Sequence, residues 1–337
     1  MNVTLIGIDL AKSVFQVCAV NQNGKVVFNR QVRRNRLMVL LMHHQTAVIA
    51  MEACGGSNYW GRKLQQHGFE VRLLPPQHVK PFVKGNKNDR NDAFAITEAA
   101  RRPHLRCVQP RTLAQTDLIQ VHRVLDRRVR QRTALINQIR GFMVEYGIVV
   151  SRGKERLWQT LPDLLEDAAN GLTAAARTLF TDLQGEWAEL DRAIKQLEQQ
   201  IRTQSRTNEA ARRLMDVKGI GVRTATAAVA FAGNGQGYRN GRHFSANLGL
   251  VPTEHSSGGK QQLGRMSKRG NRYLRRLLIQ GAWSVVRNAA NGQDRLSRWA
   301  VKLIERRGKH KAVVAVANKL SRIIWSMLYH RTEYNPA

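Results

Sequence analysis

Two rhythms of apolar and polar positions run along this chain, and the change between them near Thr112 divides it. Before that point the apolar runs are short and end in turn residues. Val3–Asp9 reads as a strand and Val14–Val20 as a second. Asn21-Gln-Asn-Gly24 is a hairpin turn leading into Lys25–Val32, because Asn and Gly tolerate the backbone angles such turns require. Leu37–Met42 has helical spacing, and Thr46–Met51 is a short, buried-type strand ending at Glu52. Tyr59–His67 follows as a helix, Phe69–Leu74 as a strand closed by Pro75-Pro76, and Asp89–Arg101 as a helix without a breaker. Three hairpin-joined strands, then helix, strand, helix, strand, helix, is the order of an RNase H-like α/β domain, though other α/β folds share parts of it.

Beyond Thr112 the spacing is helical throughout. Thr112–Tyr146 is a long basic helix carrying Arg123, Arg127, Arg128, Arg130, Arg132 and Arg140. Gly147–Gly171, with Pro162, reads as irregular. Leu183, Trp187, Leu190, Ile194, Leu197 and Ile201 then follow the alternating spacing of a short coiled-coil seam. An amphipathic helix in a bundle satisfies the same spacing. A coiled coil would give a dimer contact or hold two domains apart. The predicted organisation is an α/β domain over 1–110, a helical coiled-coil spacer over 111–205 and an all-α domain over 206–337.

Charge narrows the function. Among 337 residues, 55 are Lys or Arg and 24 are Asp or Glu, a net charge of +31 and a pI near 11.3. A field of that sign favours polyanions. It is uneven: residues 1–150 hold 23 basic against 9 acidic residues, a net of +14. Residues 151–200 hold 6 against 9, a net of −3, and residues 201–337 hold 26 against 6, a net of +20. Two basic blocks flanking a mildly acidic one suggest two nucleic-acid-binding domains. No apolar run approaches the ~18–20 residues of a membrane span, and no amphipathic anchor is evident. Met1–Leu10 lacks the basic stretch and cleavage site of a signal peptide. Cys18, Cys54 and Cys107 lie far apart with no zinc-ligand spacing, which fits a reducing cytoplasm.

Four acids stand out against this basic background. Asp9 ends the first strand and Glu52 the fourth, strands that are neighbours in an RNase H-like sheet. Asp89 and Asp92 sit three apart at a helix start and share one face. Individually each has an ordinary reading: Asp89 could cap the helix, and Glu52 could pair with an arginine. Asp9 is harder to dismiss, since an acid closing an apolar strand is costly without a partner. Together they form a carboxylate set suited to Mg²⁺, and two such ions could serve phosphodiester chemistry.

The second basic block carries two further motifs. Lys218-Gly219-Ile-Gly221-Val-Arg223 makes a glycine turn between two helical stretches and looks like a helix-hairpin-helix, whose free backbone N–H groups suit a phosphate. A tight structural turn is the alternative. Farther on, Gly258-Gly259 exposes Ser256 and Ser257 among Lys260, Arg265, Lys268, Arg269, Arg272 and Arg275. Spacing alone favours a flexible DNA-contact loop; a serine nucleophile assisted by cations is the other reading. Tyr273 sits in helical spacing and reads as packed.

The motifs Ile-Gly-Ile-Asp9, Met-Glu52-Ala, Lys-Asn-Asp89-Arg-Asn-Asp92, Gly-Ile-Gly-Val-Arg-Thr-Ala, Gly-Leu-Val-Pro, Ser-Ser-Gly-Gly-Lys and Ser-Lys-Arg-Gly-Asn resemble, in order and spacing, the DEDD transposases of bacterial insertion sequences. The resemblance covers nearly the whole chain. It implies a RuvC-like domain at the N-terminus and a serine-bearing transposase domain at the C-terminus. It implies that Asp9, Glu52, Asp89 and Asp92 bind Mg²⁺ or Mn²⁺. It further implies that a serine, placed at Ser257 with Ser256 as the alternative, links covalently to DNA. Donor and target DNA and an element-encoded guide (bridge) RNA would be the partners, in a homo-oligomer from dimer to tetramer in the bacterial cytoplasm at the nucleoid, with no membrane. The acids of one protomer would work with the serine of another. A metal-only junction nuclease fits the acids but not the serine loop. A non-catalytic binder fits the charge alone.

Overall fold

The computed structural model describes residues 2–86 and 88–336 and places them in two units. The first runs to Leu113 and includes Asn234–Arg239; the second holds Ala114–Gly233 and the chain from Asn240 onward.

In the first unit the apolar runs become strands. β1 (Leu5–Asp9) is joined antiparallel by β2 (Val14–Val20), with Asp9 opposite Gln16. Gly24, at φ 81°, closes the turn into β3 (Val26–Arg33), its N–H bonding to the Asn21 carbonyl at 2.9 Å. α1 (Leu37–Met42) leads to β4 (Val48–Glu52), which lies parallel to β1, and α2 (Ser57–Gln66) leads to β5 (Val71–Leu74), parallel to β4. The short helix α3 (Pro76–Val79) and then α4 (Asp89–Ala100) follow. The sheet order is β3-β2-β1-β4-β5, a mixed α/β arrangement consistent with an RNase H-like domain. The strands predicted from Val3, Thr46 and Phe69 enter the ladder about two residues later. Val3 and Phe69 are nonetheless buried, because core packing begins before pairing does.

Alternation decides what each face of the sheet covers. Ile6, Ile8, Val17 and Met51 pack with Leu37 and Leu41 of α1 and Trp60 and Leu64 of α2. Leu5, Cys18 and Ala50 pack with Ala93, Ile96 and Ala100 of α4 on the other face. Gly7 lies on the α4 face. A Cβ there would sit 2.6 Å from Thr97 Cγ2 and 2.7 Å from the Ala93 carbonyl, so only glycine lets α4 approach so closely.

The second unit, read from its spacing as helical throughout, departs from that reading in one hairpin, where the positive-φ glycines Gly258 and Gly259 turn the chain back on itself. α5 (Leu113–Val144), α6 (Lys154–Glu166) and α7 (Ala174–Thr207) come first. Leu135, Ile139 and Met143 of α5 share a core with Phe180 and Trp187, whereas Leu125 meets Ile194 and Ile201, so α5 and α7 run antiparallel. The seam predicted as a coiled coil is therefore filled within the chain, by α5 and α6. The segment expected to be irregular, 147–171, contains α6 with Pro162 inside it. The reason is burial: Leu157 and Leu161 are fully enclosed, and Leu164 and Leu165 complete an apolar stripe that outweighs the hydrogen bond proline removes.

Then follow α8 (Glu209–Met215), α9 (Val222–Ala232), α10 (Gly241–Asn247), the two-stranded β6 (Pro252–Glu254) and β7 (Leu263–Met266), α11 (Arg272–Arg287), α12 (Arg295–Arg307) and α13 (Lys309–His330). α7 packs on α8 and α9, so the helices read as a spacer share their unit with the C-terminal helices. Among the described residues no helix is long and apolar enough to cross a membrane.

His122 of α5 is fully buried, facing Thr226 of α9 and Tyr273 of α11. Its Nε2 lies 3.1 Å from Thr226 Oγ1 and its Nδ1 3.0 Å from the Tyr273 hydroxyl. Thr226 gives its own proton to the Val222 carbonyl at 2.7 Å. The neutral ring therefore donates from Nε2 to Thr226 and accepts the Tyr273 proton at Nδ1. Burial, then the charge of Arg223, lowers the His122 pKa to about 4, and burial raises that of Tyr273 to about 12. The unfolded chain takes up the His122 proton first as pH falls. Its contribution is thus full above about pH 6.5 and is lost between there and about pH 4, roughly 3 kcal/mol in all. Urea midpoints at pH 7 and pH 4.5 should differ accordingly in the wild-type chain and differ less in His122→Gln. An equal drop in both would show that His122 is not the group responsible.

Candidate active site

β1 and β4 are parallel neighbours in the register Ile8↔Met51, so the next residues, Asp9 and Glu52, end the two strands side by side. Asp9 follows Leu5 and Gly7, and Glu52 follows Ala50, on the face that α4 covers. α4 crosses that face with Ala93 against Gly7, and Arg101, just beyond its C-terminal end, reaches Gly24 at the far hairpin. Its first turn, with Asp89 and Asp92, therefore lies toward the end of the sheet where Asp9 and Glu52 stand.

Local chemistry holds that first turn in place. Asn88, not Asp89, caps α4, accepting the Asn91 N–H at 2.8 Å. The capping role open to Asp89 is thus taken by its neighbour. In a chain with 55 basic residues, neither Asp89 nor Asp92 has an ion-pair partner among the described residues. Burial, then the charges of Glu52 and Asp9, raises the pKa of the Cys54 thiol, so both carboxylates project negative potential onto the loop after β4.

Asp9 and Glu52 are brought together and Asp89 and Asp92 share their face. Among the described residues, however, no three His, Cys, Asp or Glu side chains converge closely enough to hold an ion. The chemistry of the donor set fits a hard divalent cation: carboxylates of intermediate exposure at adjacent strand ends, with no cysteine or histidine required. A divalent ion bound there would favour attack at a phosphodiester and neutralise the oxygen that leaves.

The second unit carries the other predicted residues. Gly219, at φ 84°, turns the chain between α8 and α9, and Gly221 precedes the first residue of α9. A Cβ at Gly281 of α11 would fall 1.9 Å from the Gly219 carbonyl, so the two glycines pack backbone to backbone. The turn borders a cavity of about 710 Å³ that Arg202, Gln280 and Ser284 also line. The cations beside it are engaged: Lys218 pairs with Asp294 and Arg223 with Glu198. Hydrogen bonds from Lys218 and Ser297 hold the Asp294 carboxyl well below the usual range against the opposing effect of burial. By contrast Lys260, Arg265, Lys268, Arg269 and Arg272 are exposed and have no carboxylate partner among the described residues.

The serines lie at the tip of the β6–β7 hairpin. Lys260 donates its N–H to the Ser257 carbonyl at 3.0 Å, and Gly258 and Gly259 follow with φ of 55° and 73°. Two consecutive positive φ values are what a tight primed turn requires, so both glycines are needed. Ser256 and Ser257 are both exposed. Ser256 donates to Glu254 Oε1 at 2.6 Å and accepts the Gln262 N–H at 3.1 Å. The Ser257 hydroxyl has no hydrogen-bond partner among the described residues.

Residues 6–148 match a family described as a transposase, of the IS110 DEDD type, and residues 211–297 match one described as the transposase IS116/IS110/IS902 family. The chain is 42% identical over 333 residues to the "Transposase for insertion sequence element IS1111A" of Coxiella burnetii, covering 99% of this chain and 92% of that one. It is 44% identical over 337 residues to a "Probable family 20 transposase" of Pseudomonas aeruginosa, covering 100% of each. It is 36% identical over 336 residues to the "Transposase for insertion sequence element IS1328" of Yersinia enterocolitica, covering 99% of each. The chain belongs to the IS116/IS110/IS902 transposase family.

In this transposase several motif residues of the second unit serve its packing. Gly249 and Gly270 bring two motifs into backbone contact: a Cβ at Gly249 would meet the Arg269 carbonyl at 2.2 Å, and one at Gly270 the Asn247 carbonyl at 1.7 Å. Arg275 spans them, donating to the Leu248 carbonyl at 2.9 Å and the Arg269 carbonyl at 3.1 Å. Tyr273, read as packed, lends its hydroxyl to His122. Sequence reasoning did not single out Glu254. Its signal was the spacing: Ser256 follows Glu254, the last residue of β6, by two positions, and side chains two apart in extended backbone point the same way.

Proposed function

We propose that this transposase cuts and exchanges DNA strands with a divalent-metal carboxylate site and a serine nucleophile. Asp9, Glu52, Asp89 and Asp92 would hold Mg²⁺ or Mn²⁺, and Ser257 would attack. In that step a bond forms between Ser257 Oγ and phosphorus while the bond from phosphorus to one deoxyribose oxygen breaks. The proton lost by the serine ends on the released hydroxyl. The observation that carries this reading is the pairing of Asp9 and Glu52 at the end of two parallel strands, on the face to which α4 brings Asp89 and Asp92. The exposed hydroxyl of Ser257, without a hydrogen-bond partner among the described residues, supports the second half.

Partners follow from charge. The Gly219–Gly221 turn, as a helix-hairpin-helix, would offer backbone N–H groups to phosphate. Lys260, Arg265, Lys268, Arg269 and Arg272, without carboxylate partners among the described residues, would line the nucleic acid, and Lys218 and Arg223 would join once released from their carboxylates. Donor DNA, target DNA and an element-encoded guide RNA are the proposed ligands, with base pairing to the RNA carrying sequence choice. The working form would be a homo-oligomer, dimer to tetramer. Its parts would be a RuvC-like domain over 1–110, a helical spacer over 111–205 and a transposase domain over 206–337.

The test uses the full chain, a labelled duplex spanning the element's end and the RNA transcribed beside the gene. Wild-type protein should yield recombined product and a DNA-linked protein band, and tryptic mapping should place the link on Ser257. Ser257→Ala should lose both. A band that persists in Ser257→Ala, or free DNA ends with no link in the wild type, would replace the serine mechanism with metal-only cleavage.

A further inference from the structure

Two adjacent serines crown the β6–β7 hairpin, and their surroundings differ. The Ser256 hydroxyl is committed on both sides, donating to Glu254 Oε1 at 2.6 Å and accepting the Gln262 N–H at 3.1 Å. Gln261 Nε2 approaches the same carboxylate oxygen at 3.5 Å. One rung below, His255 donates its N–H to the Gln262 carbonyl at 3.0 Å. These contacts pin the two arms of the hairpin just beneath the turn that begins at Ser257.

A serine hydrogen-bonded to a carboxylate could instead be a nucleophile with its base. Charge argues against that here. An attacking oxygen must approach an anionic phosphate, and a carboxylate 2.6 Å from that oxygen would repel it. Glu254 is exposed and stands on the strand itself, with Ser256 above it. Among the described residues the Ser257 hydroxyl bonds to no carboxylate, and the positive flank of Lys260 follows directly.

We infer that Glu254 and Ser256 form a clasp that positions Ser257, and that Ser256 is not the nucleophile. The inference rests on the serine reading above and specifies which hydroxyl acts and what holds it. In the clasp Glu254 acts only as a hydrogen-bond acceptor and takes no proton from the reaction. Without it the Gln262 N–H loses its partner at the mouth of the loop, and the turn bearing Ser257 samples conformations unsuited to attack.

The experiment follows covalent adduct formation by the full chain on the labelled duplex with its RNA, together with hydrogen–deuterium exchange at the Gln262 amide. Ser256→Ala should still be linked at Ser257, but should form adduct about five- to tenfold more slowly, the worth of one or two hydrogen bonds. Ser256→Thr should restore the rate. Glu254→Ala should slow adduct formation similarly, whereas Glu254→Gln, whose amide oxygen still accepts, should recover most of the loss and keep the wild-type pH profile. Gln262 should exchange faster in Ser256→Ala. A link mapped to Ser256 would overturn the inference, as would wild-type speed in Ser256→Ala or a Glu254→Gln as slow as Glu254→Ala. Unaltered Gln262 exchange in Ser256→Ala would overturn it independently of any chemistry. If no protein forms a serine link while Gln262 exchange responds as described, the clasp stands and the serine mechanism falls.

Discussion

Asp9→Asn should lower strand exchange by roughly a thousandfold, because it removes several kcal/mol of charge stabilisation at the reacting phosphate. Asparagine keeps the size of the side chain at the end of β1, so the sheet has no reason to rearrange. Asp9 sits beside Glu52 through the β1–β4 register and on the α4 face with Asp89 and Asp92. Neutralising it removes one of two carboxylates at the strand ends and should weaken divalent binding as well as rate. The measurement is product formation across a Mg²⁺ titration, with circular dichroism to confirm an intact fold. Raising Mg²⁺ should rescue Asp9→Asn only in part. Wild-type activity in Asp9→Asn would remove Asp9 from the site and with it the case for a carboxylate centre.

Gly7→Val should do comparable damage without touching a functional group. A Cβ at Gly7 would lie 2.6 Å from Thr97 Cγ2 and 2.7 Å from the Ala93 carbonyl, closer than such atoms come. One of those contacts is helix backbone and the other belongs to a buried side chain, so neither can swing aside. α4 must lift from the sheet, and Asp89 and Asp92 travel with it. Overpacking of this kind costs about 1–3 kcal/mol and sometimes more, and valine adds two methyl groups beyond the Cβ. The expected outcome is a lower urea midpoint and loss of strand cleavage even where the protein remains folded. An unchanged midpoint with full cleavage would mean that α4 does not rest on β1 at this point.

The acids show how sequence and structure divided the work. That Asp9 and Glu52 end strands was legible, because each closes an apolar run with a polar residue and strands announce themselves by such runs. That Asp89 and Asp92 share a helix face followed from a spacing of three. The identity of the cap at α4 was not legible: Asn88 and Asp89 are equally capable residues, and only backbone geometry chose Asn88. Pro162 misled the reading of 147–171, since a proline argues against a helix locally while the burial of Leu157 and Leu161 argues for one through contacts with α5 and α7.

The coiled-coil seam carries the same lesson at larger scale. Its spacing from Leu183 to Ile201 established a helix with one apolar stripe, and nothing more, because periodicity reports that a face is covered and is silent on the cover. The cover is α5, antiparallel in the same chain, together with α6. Likewise the sequence identified Lys218 and Arg223 as cations beside a glycine turn. Their pairing with Asp294 and Glu198 depends on residues 76 and 25 positions away.

By itself, then, the sequence determined the kinds of element and their order in the first unit, the excess of positive charge and the residue types able to do phosphodiester chemistry. Each is a property of neighbouring residues or of totals. The tertiary structure decided which strand ends lie side by side and, among the described residues, which cations lack a carboxylate partner and which of two adjacent serines keeps a hydroxyl without a hydrogen bond. Those are contacts between distant or opposed positions. They depend on how closely backbones pack, at Gly7 against Ala93 and at Gly219 against Gly281, where a single Cβ would forbid the arrangement.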